Sequence, residues 1–164
     1  MGDGASVRIA VITVEGVLSE TDNLRSSPPT KLGRDFFNSL KAAYRIVLLS
    51  NQPDNGAARA WLKKEGFKGF AMVLCYPVST LPSLTGWKVN QVREMLGDGW
   101  DIAMVIDTDE HVHQAVLQEG VPSILVSYPR MARPGKLPET PGPLRSWDQI
   151  TATVEEQNLL EQGG

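Results

Sequence analysis

The sequence predicts a three-layer α/β domain: a central, mostly parallel sheet of five strands with helices on both faces. Three observations carry this. Short continuous apolar runs recur along the chain, as strands buried on both faces require. Between them lie stretches with apolar residues at helical spacing. Turn and capping residues separate the two kinds of segment, so strand and helix alternate. Crossovers of this type are right-handed, and ligands sit at the carboxyl edge of the strands.

The first strand is Val7 to Val14. Residues 34–43 (RDFFNSLKAA) set Phe36, Phe37, Leu40 and Ala43 at helical spacing. Tyr44 to Ser50 reads as a second buried strand. Asp54 or Asn55 can cap the next helix, which ends near Glu65 with Gly66 as a left-handed terminator. Ala71 to Cys75 is a third strand. A helix from about Lys88 to Leu96 carries Val89, Val92, Met95 and Leu96 on one face and is broken by Gly97, Asp98 and Gly99. Ile102 to Ile106 is a fourth strand, Asp109 to Glu119 a helix with Val112, Ala115 and Val116 inward, and Ser123 to Ser127 a fifth strand. A last helix opens at Ser146-Trp147-Asp148-Gln149, a capping-box pattern, and covers 146–158. Residues 19–32 are polar and turn-rich, and 128–145 hold five prolines, three arginines and a lysine.

With 164 residues, the chain is expected to form a single domain, residues 1–164, with its core in 7–127. A net charge of −3 and a pI near 5.4 exclude a wholesale nucleic-acid binder, while leaving room for a local basic patch. No apolar run approaches the ~18 residues of a membrane span, and the N-terminus lacks the apolar core of a secretory signal. Gly2 and Ser6 match the myristoylation pattern formally, but Asp3 sits awkwardly in it and the first strand follows at once. Cys75 is the only cysteine, which points to core packing and to a reducing, cytoplasmic setting.

Residues just past each strand should share the carboxyl edge. They are Thr13 and Glu15 after the first strand, Ser50 and Asn51 after the second, and Asp107 and Asp109 after the fourth, with Lys88 at the start of the helix before it. Hydroxyl, amide, ammonium and clustered acids make up a phosphate and magnesium site. Asp107 and Asp109 would be the metal ligands, and Ser50, Asn51 and Lys88 would hold phosphate oxygens. The ordinary readings stand beside these: Thr13 as a plain strand end, Ser50 as a turn residue, Asp109 as a helix cap. His111 and His113 point to different faces and make a poor metal pair.

In this order the residues resemble the haloacid dehalogenase (HAD) superfamily. Its first motif, an apolar strand followed by Asp-x-Asp-Gly-(Thr or Val)-Leu, stands here as Thr13-Val14-Glu15-Gly16-Val17-Leu18. Its second, a strand ending in Ser or Thr, matches Ile46 to Ser50. Its lysine matches Lys88, and its acidic strand end matches Met104-Val105-Ile106-Asp107-Thr108-Asp109. The resemblance covers residues 7–127 and implies a Rossmann-like core. The short interval between the first two motifs implies a member without a large cap. Small HAD-like proteins of this shape, some encoded by tailed phages, also end in a Pro-rich loop and a Trp-containing helix.

The resemblance also exposes a departure. Thr13 stands at the family's nucleophile position, and Glu15 at its acid/base position. A threonine hydroxyl needs an adjacent base and brings no charge to a metal, so Mg²⁺ binding is expected to be weak. Glu15 is one methylene too long, and Thr108 replaces a second adjacent acid found in many members. The expectation is a catalytically impaired, phosphatase-like scaffold that binds a phosphorylated small molecule or a protein partner. The rival is an active Mg²⁺-dependent phosphatase acting on a nucleotide or nucleic-acid end. Arg130, Arg133, Lys136 and Arg145 in the Pro-rich loop either meet an anionic partner or form a stiff solvated loop.

Overall fold

A computed structural model describes residues 7–77 and 83–128. Contacts divide the chain into two compact units, Met1–Ser127 and Tyr128–Gly164. In the first unit the element order is β1 (Ile9–Thr13), α1 (Lys31–Leu40), β2 (Arg45–Ser50), α2 (Asn55–Lys64), β3 (Met72–Cys75), α3 (Leu84–Gly97), β4 (Ile102–Asp107), α4 (Glu110–Gln118) and β5 (Ser123–Leu125). The five strands form one sheet in the order β3-β2-β1-β4-β5, with every pairing parallel.

That order fixes where the helices go. The chain steps outward from β1 to β2 to β3, then returns across the sheet to β4 and β5. Right-handed crossovers therefore put α1 and α2 on one face and α3 and α4 on the other. Side chains confirm it: Val11, Val47, Leu49 and Val105 pack with Trp87, Val92 and Met95 of α3 and Val112 and Val116 of α4. On the alternate positions, Ile12, Ile46, Leu48 and Ile106 are also fully buried, as period-two strands between two helical layers demand. The first helical layer carries Phe37, edge-on to Phe67, with Trp61 stacked on the same ring.

Several boundaries differ from those read in the sequence. β1 begins at Ile9 because Val7 is 58% exposed, at the margin of the sheet. α1 starts at Lys31 rather than residue 34, since the Thr30 hydroxyl accepts from the Gly33 amide and caps it, and Ala43 falls beyond its end, exposed. α3 opens a turn earlier than expected, capped by Ser83, so Lys88 lies inside the helix and not at its first residue. β4 extends to Asp107 itself. β5 is only three residues long, and its Ile124 and Leu125 are partly exposed. Cys75 is half-buried at the end of β3, not in the core. The helix expected at 146–158 and the loop residues Arg130, Arg133, Lys136 and Arg145 lie outside the described residues.

The turn after β1 is held by backbone conformation and by α1 together. Gly16 adopts φ +92°, a left-handed conformation that a side chain would strain. Thr30 donates its backbone N–H to the Leu18 carbonyl (2.8 Å) and its hydroxyl to the Val17 carbonyl (2.5 Å). Gly33 sits so close that a Cβ there would collide with the Val17 carbonyl oxygen. Helix α1 is thus locked against the loop that carries Glu15.

Candidate functional site

The strand order reverses at β1, whose neighbours are β2 and β4, and the crevice beyond their carboxyl ends is where open α/β sheets take ligands. Thr13 ends β1, Ser50 ends β2 and Asp107 ends β4, so the topology alone brings them to one edge. Lys88 reaches the same edge from α3. Thr13, Glu15, Ser50, Lys88 and Asp107 are all buried, each 6% exposed or less.

Asp107 is the hub. Its Oδ2 accepts from the Lys88 ammonium at 2.9 Å and from the Thr13 hydroxyl at 2.6 Å. Its Oδ1 accepts from the backbone N–H groups of Thr108 (2.6 Å) and Asp109 (3.0 Å), just ahead of α4, where the helix dipole favours a negative charge. Lys88 and Asp107 therefore form a buried ion pair whose carboxylate has partners on both oxygens. Without Asp107, a lysine buried near the positive end of α3 would carry an uncompensated charge.

Glu15 belongs to a second group. Its Oε1 accepts from the Ser50 hydroxyl at 2.5 Å and its Oε2 from the Asn51 amide N–H at 3.0 Å. Burial pushes the Glu15 carboxyl above the usual carboxylate range, and the bonds from Ser50 and Asn51 and the Lys88 charge oppose this only in part. The Gln52 side chain ties the two loops together, donating to the Asn51 side-chain oxygen (2.9 Å) and the Asp22 carbonyl (3.0 Å).

The Asp109 carboxylate stands apart from both groups. Its Oδ1 accepts from the His111 N–H, capping α4, and its Oδ2 from the Thr85 hydroxyl at 2.6 Å. Burial raises its carboxyl, but the Thr85 bond, the first amides of α4 and the Lys88 charge outweigh it and hold the group below the usual carboxylate range. His113 is turned to Ser123, at 2.8 Å. For Cys75, burial and then the charges of Glu15 and Asp54 push the thiol up, which keeps it protonated and poorly nucleophilic.

The structure thus brings together the residues expected at this edge, but sorts them. Thr13, Lys88 and Asp107 form one cluster; Glu15, Ser50 and Asn51 form another. The Asp109 carboxylate joins neither; only its backbone N–H reaches Asp107. Sequence reasoning missed Thr85, which fixes Asp109, and Thr30, which fixes the turn bearing Glu15. Thr30 had a signal: a capping residue after Pro28-Pro29 and before an amphipathic run.

The superfamily that the motifs resemble uses a magnesium ion, and the donor set can be compared with what that ion needs. Mg²⁺ takes oxygen ligands in octahedral array, usually one or two carboxylates with water. In this site one oxygen of Asp107 is held by an ammonium and a hydroxyl and the other by two amides, while Glu15 faces Ser50. No group of three His, Cys, Asp or Glu converges among the described residues. The residues present do not fit the ion in this arrangement.

No family profile matches the sequence, and a search of curated proteins finds no relative. Solved structures do match. A chain of the Pnkp1/Rnl/Hen1 RNA repair complex superposes with a TM-score of 0.65 at 16% identity, over 78% of this chain and 45% of that one. The present chain therefore spans under half the length of that neighbour. A haloacid dehalogenase-like family hydrolase from Streptococcus pneumoniae matches with a TM-score of 0.55 at 8% identity, over 74% of this chain and 85% of that one. A second hydrolase from Streptococcus pneumoniae TIGR4 gives 0.55 at 10% identity, over 77% of this chain and 96% of that one. The chain has the HAD-like fold.

Proposed function

We propose that this chain is a HAD-like module that no longer hydrolyses phosphate esters through an aspartyl intermediate and works by binding a phosphoryl-bearing ligand at its carboxyl edge. The observation that carries the proposal is the shared oxygen of Asp107. Thr13 stands where the resemblance puts the nucleophile, and its hydroxyl is donated to Oδ2 of Asp107. That same oxygen accepts from the Lys88 ammonium, so it is already engaged by two donors and is not free to take the threonine's proton. A threonine needs a strong neighbouring base to attack. Glu15, the carboxylate two residues on, is held by Ser50 and Asn51.

What remains at the edge is recognition chemistry: a hydroxyl on Ser50, a backbone amide on Asn51 and an ammonium on Lys88. A second reading, a protein-binding role, draws on the chains of the RNA repair complex among the structural neighbours, which are components of a protein assembly.

The test compares wild type with Thr13→Asp/Glu15→Asp on an aryl phosphate, with and without Mg²⁺. The expected result is no turnover by wild type above an Asp107→Asn control, and hydrolysis by the double variant. Wild-type turnover that disappears in Asp107→Asn would overturn the loss of hydrolysis. For the ligand, phosphate or nucleotide should raise the unfolding temperature of wild type, and Ser50→Ala should abolish the effect.

A further inference from the structure

The glutamate at position 15 does more than fail to match an aspartate. Its two oxygens sit on one hydroxyl and one backbone N–H, with Ser50 at 2.5 Å and Asn51 at 3.0 Å. A tetrahedral oxyanion would take the same pair of donors, with two of its oxygens in place of the carboxylate's two. We propose that Glu15 is a built-in occupant of an oxyanion pocket made by the Ser50 hydroxyl and the Asn51 amide, and that a phosphoryl or sulfuryl group enters only by displacing it.

Length and anchoring support this. Glu15 lies in the turn after β1, while its partners belong to the end of β2 and the residue after it. An aspartate, one methylene shorter, would fall short of both donors. The backbone beneath Glu15 is fixed: Gly16 turns with positive φ, and Thr30 grips the Val17 and Leu18 carbonyls. With the backbone held, displacement of the carboxylate falls to the side chain's own torsions.

The donors are oriented independently of Glu15. Ser50 is the last residue of β2, and its hydroxyl oxygen also accepts from the Gln52 N–H at 3.2 Å, which leaves the hydroxyl proton to aim at the pocket. Asn51 and Gln52, which follow Ser50, are half-buried. Among the described residues no buried side-chain polar atom lacks a partner, so the resting site is closed by its own groups. The proposal rests on the binding reading above and adds a gate to it.

Calorimetric titration with sulfate, a dianion that cannot be hydrolysed as a phosphate ester, provides the test. Wild type should bind weakly, and Glu15→Ala at least about tenfold more tightly, because removing one charge-assisted partner frees the donors. Glu15→Ala/Ser50→Ala should return to weak binding. Glu15→Gln keeps the volume but removes the charge, turning charge-assisted bonds into weaker neutral ones, so it should also gain affinity, and it serves if Glu15→Ala fails to fold. Equal affinity in wild type and the folded Glu15 variants overturns the gate while leaving the binding reading standing. Absence of binding by every variant, with phenyl phosphate tried as well, overturns both. Gain of affinity that survives Ser50→Ala places the anion elsewhere and overturns the pocket.

Discussion

At the scale of single residues the site is governed by how a few buried charges are satisfied. Asp107 accepts four hydrogen bonds, from Thr13, Lys88, Thr108 and Asp109. Taking away one member of a buried ion pair strands the other, which costs about 3–5 kcal/mol. Lys88→Met should therefore destabilise the fold by roughly that amount, read as a shift in the urea midpoint at constant slope. Thr13→Val removes one donor but leaves Lys88 on the same oxygen, so its cost should be only about 1 kcal/mol. Equal losses for the two substitutions would show that the hydroxyl holds Asp107 in place as strongly as the ammonium does. This division could not be read from the chain alone. The sequence places Thr13, Lys88 and Asp107 at one edge, but which carboxylate the lysine meets depends on α3 starting at Leu84 and burying Lys88 a turn inside.

Secondary-structure elements show where the sequence was legible. Strands buried on both faces advertise themselves as apolar runs, and β2, β3 and β4 lie within a residue of where those runs predict. Helix starts are harder to read, because α1 and α3 are set by the caps Thr30 and Ser83, polar residues that lie outside the apolar periodicity. The caps make two predictions. Gly33→Ala would push a methyl into the Val17 carbonyl, with no flexible side chain there to yield, so about 1–3 kcal/mol should be lost and the loop bearing Glu15 displaced. Retention of full stability would mean α1 can slide away from the turn. Asp109 caps α4 from a position that lowers its pKa in the folded state. Its folded value lies below its unfolded one, so the stabilisation is present above the ordinary value of 3.8 and fades as pH falls through the folded value. Asp109→Ala should cost about 1 kcal/mol at neutral pH, and that difference from wild type should shrink below about pH 4. A difference independent of pH would assign the loss to something other than the charged cap.

For the whole molecule, the strand order is what turns scattered motifs into a site. Positions 13, 50 and 107 are far apart in the chain, yet parallel strands with a switch at β1 must end side by side. That much follows from alternation of strand and helix. What does not follow is whether the acids converge on a metal, because a carboxylate's direction is set by its hydrogen-bond partners. Glu15 turns to β2 and Asp107 to α3, so the net arrangement pairs each acid with a protein donor instead of with a shared cation. A ligand that binds only the folded state raises stability by RT ln(1 + [L]/Kd), about 2.7 kcal/mol at about one hundred times Kd. For a chain of this size each kcal/mol moves the midpoint by about 2–4 °C. Millimolar Mg²⁺ should therefore leave the thermal midpoint of wild type unmoved, beyond the effect of matched ionic strength. Thr13→Asp/Glu15→Asp places a second carboxylate beside Asp107 and withdraws the longer one from Ser50, so its midpoint should rise by several degrees in Mg²⁺. A Mg²⁺-dependent rise in wild type that Asp107→Asn removes would mean that Lys88 yields its place to the metal, and that the paired geometry is only the resting one.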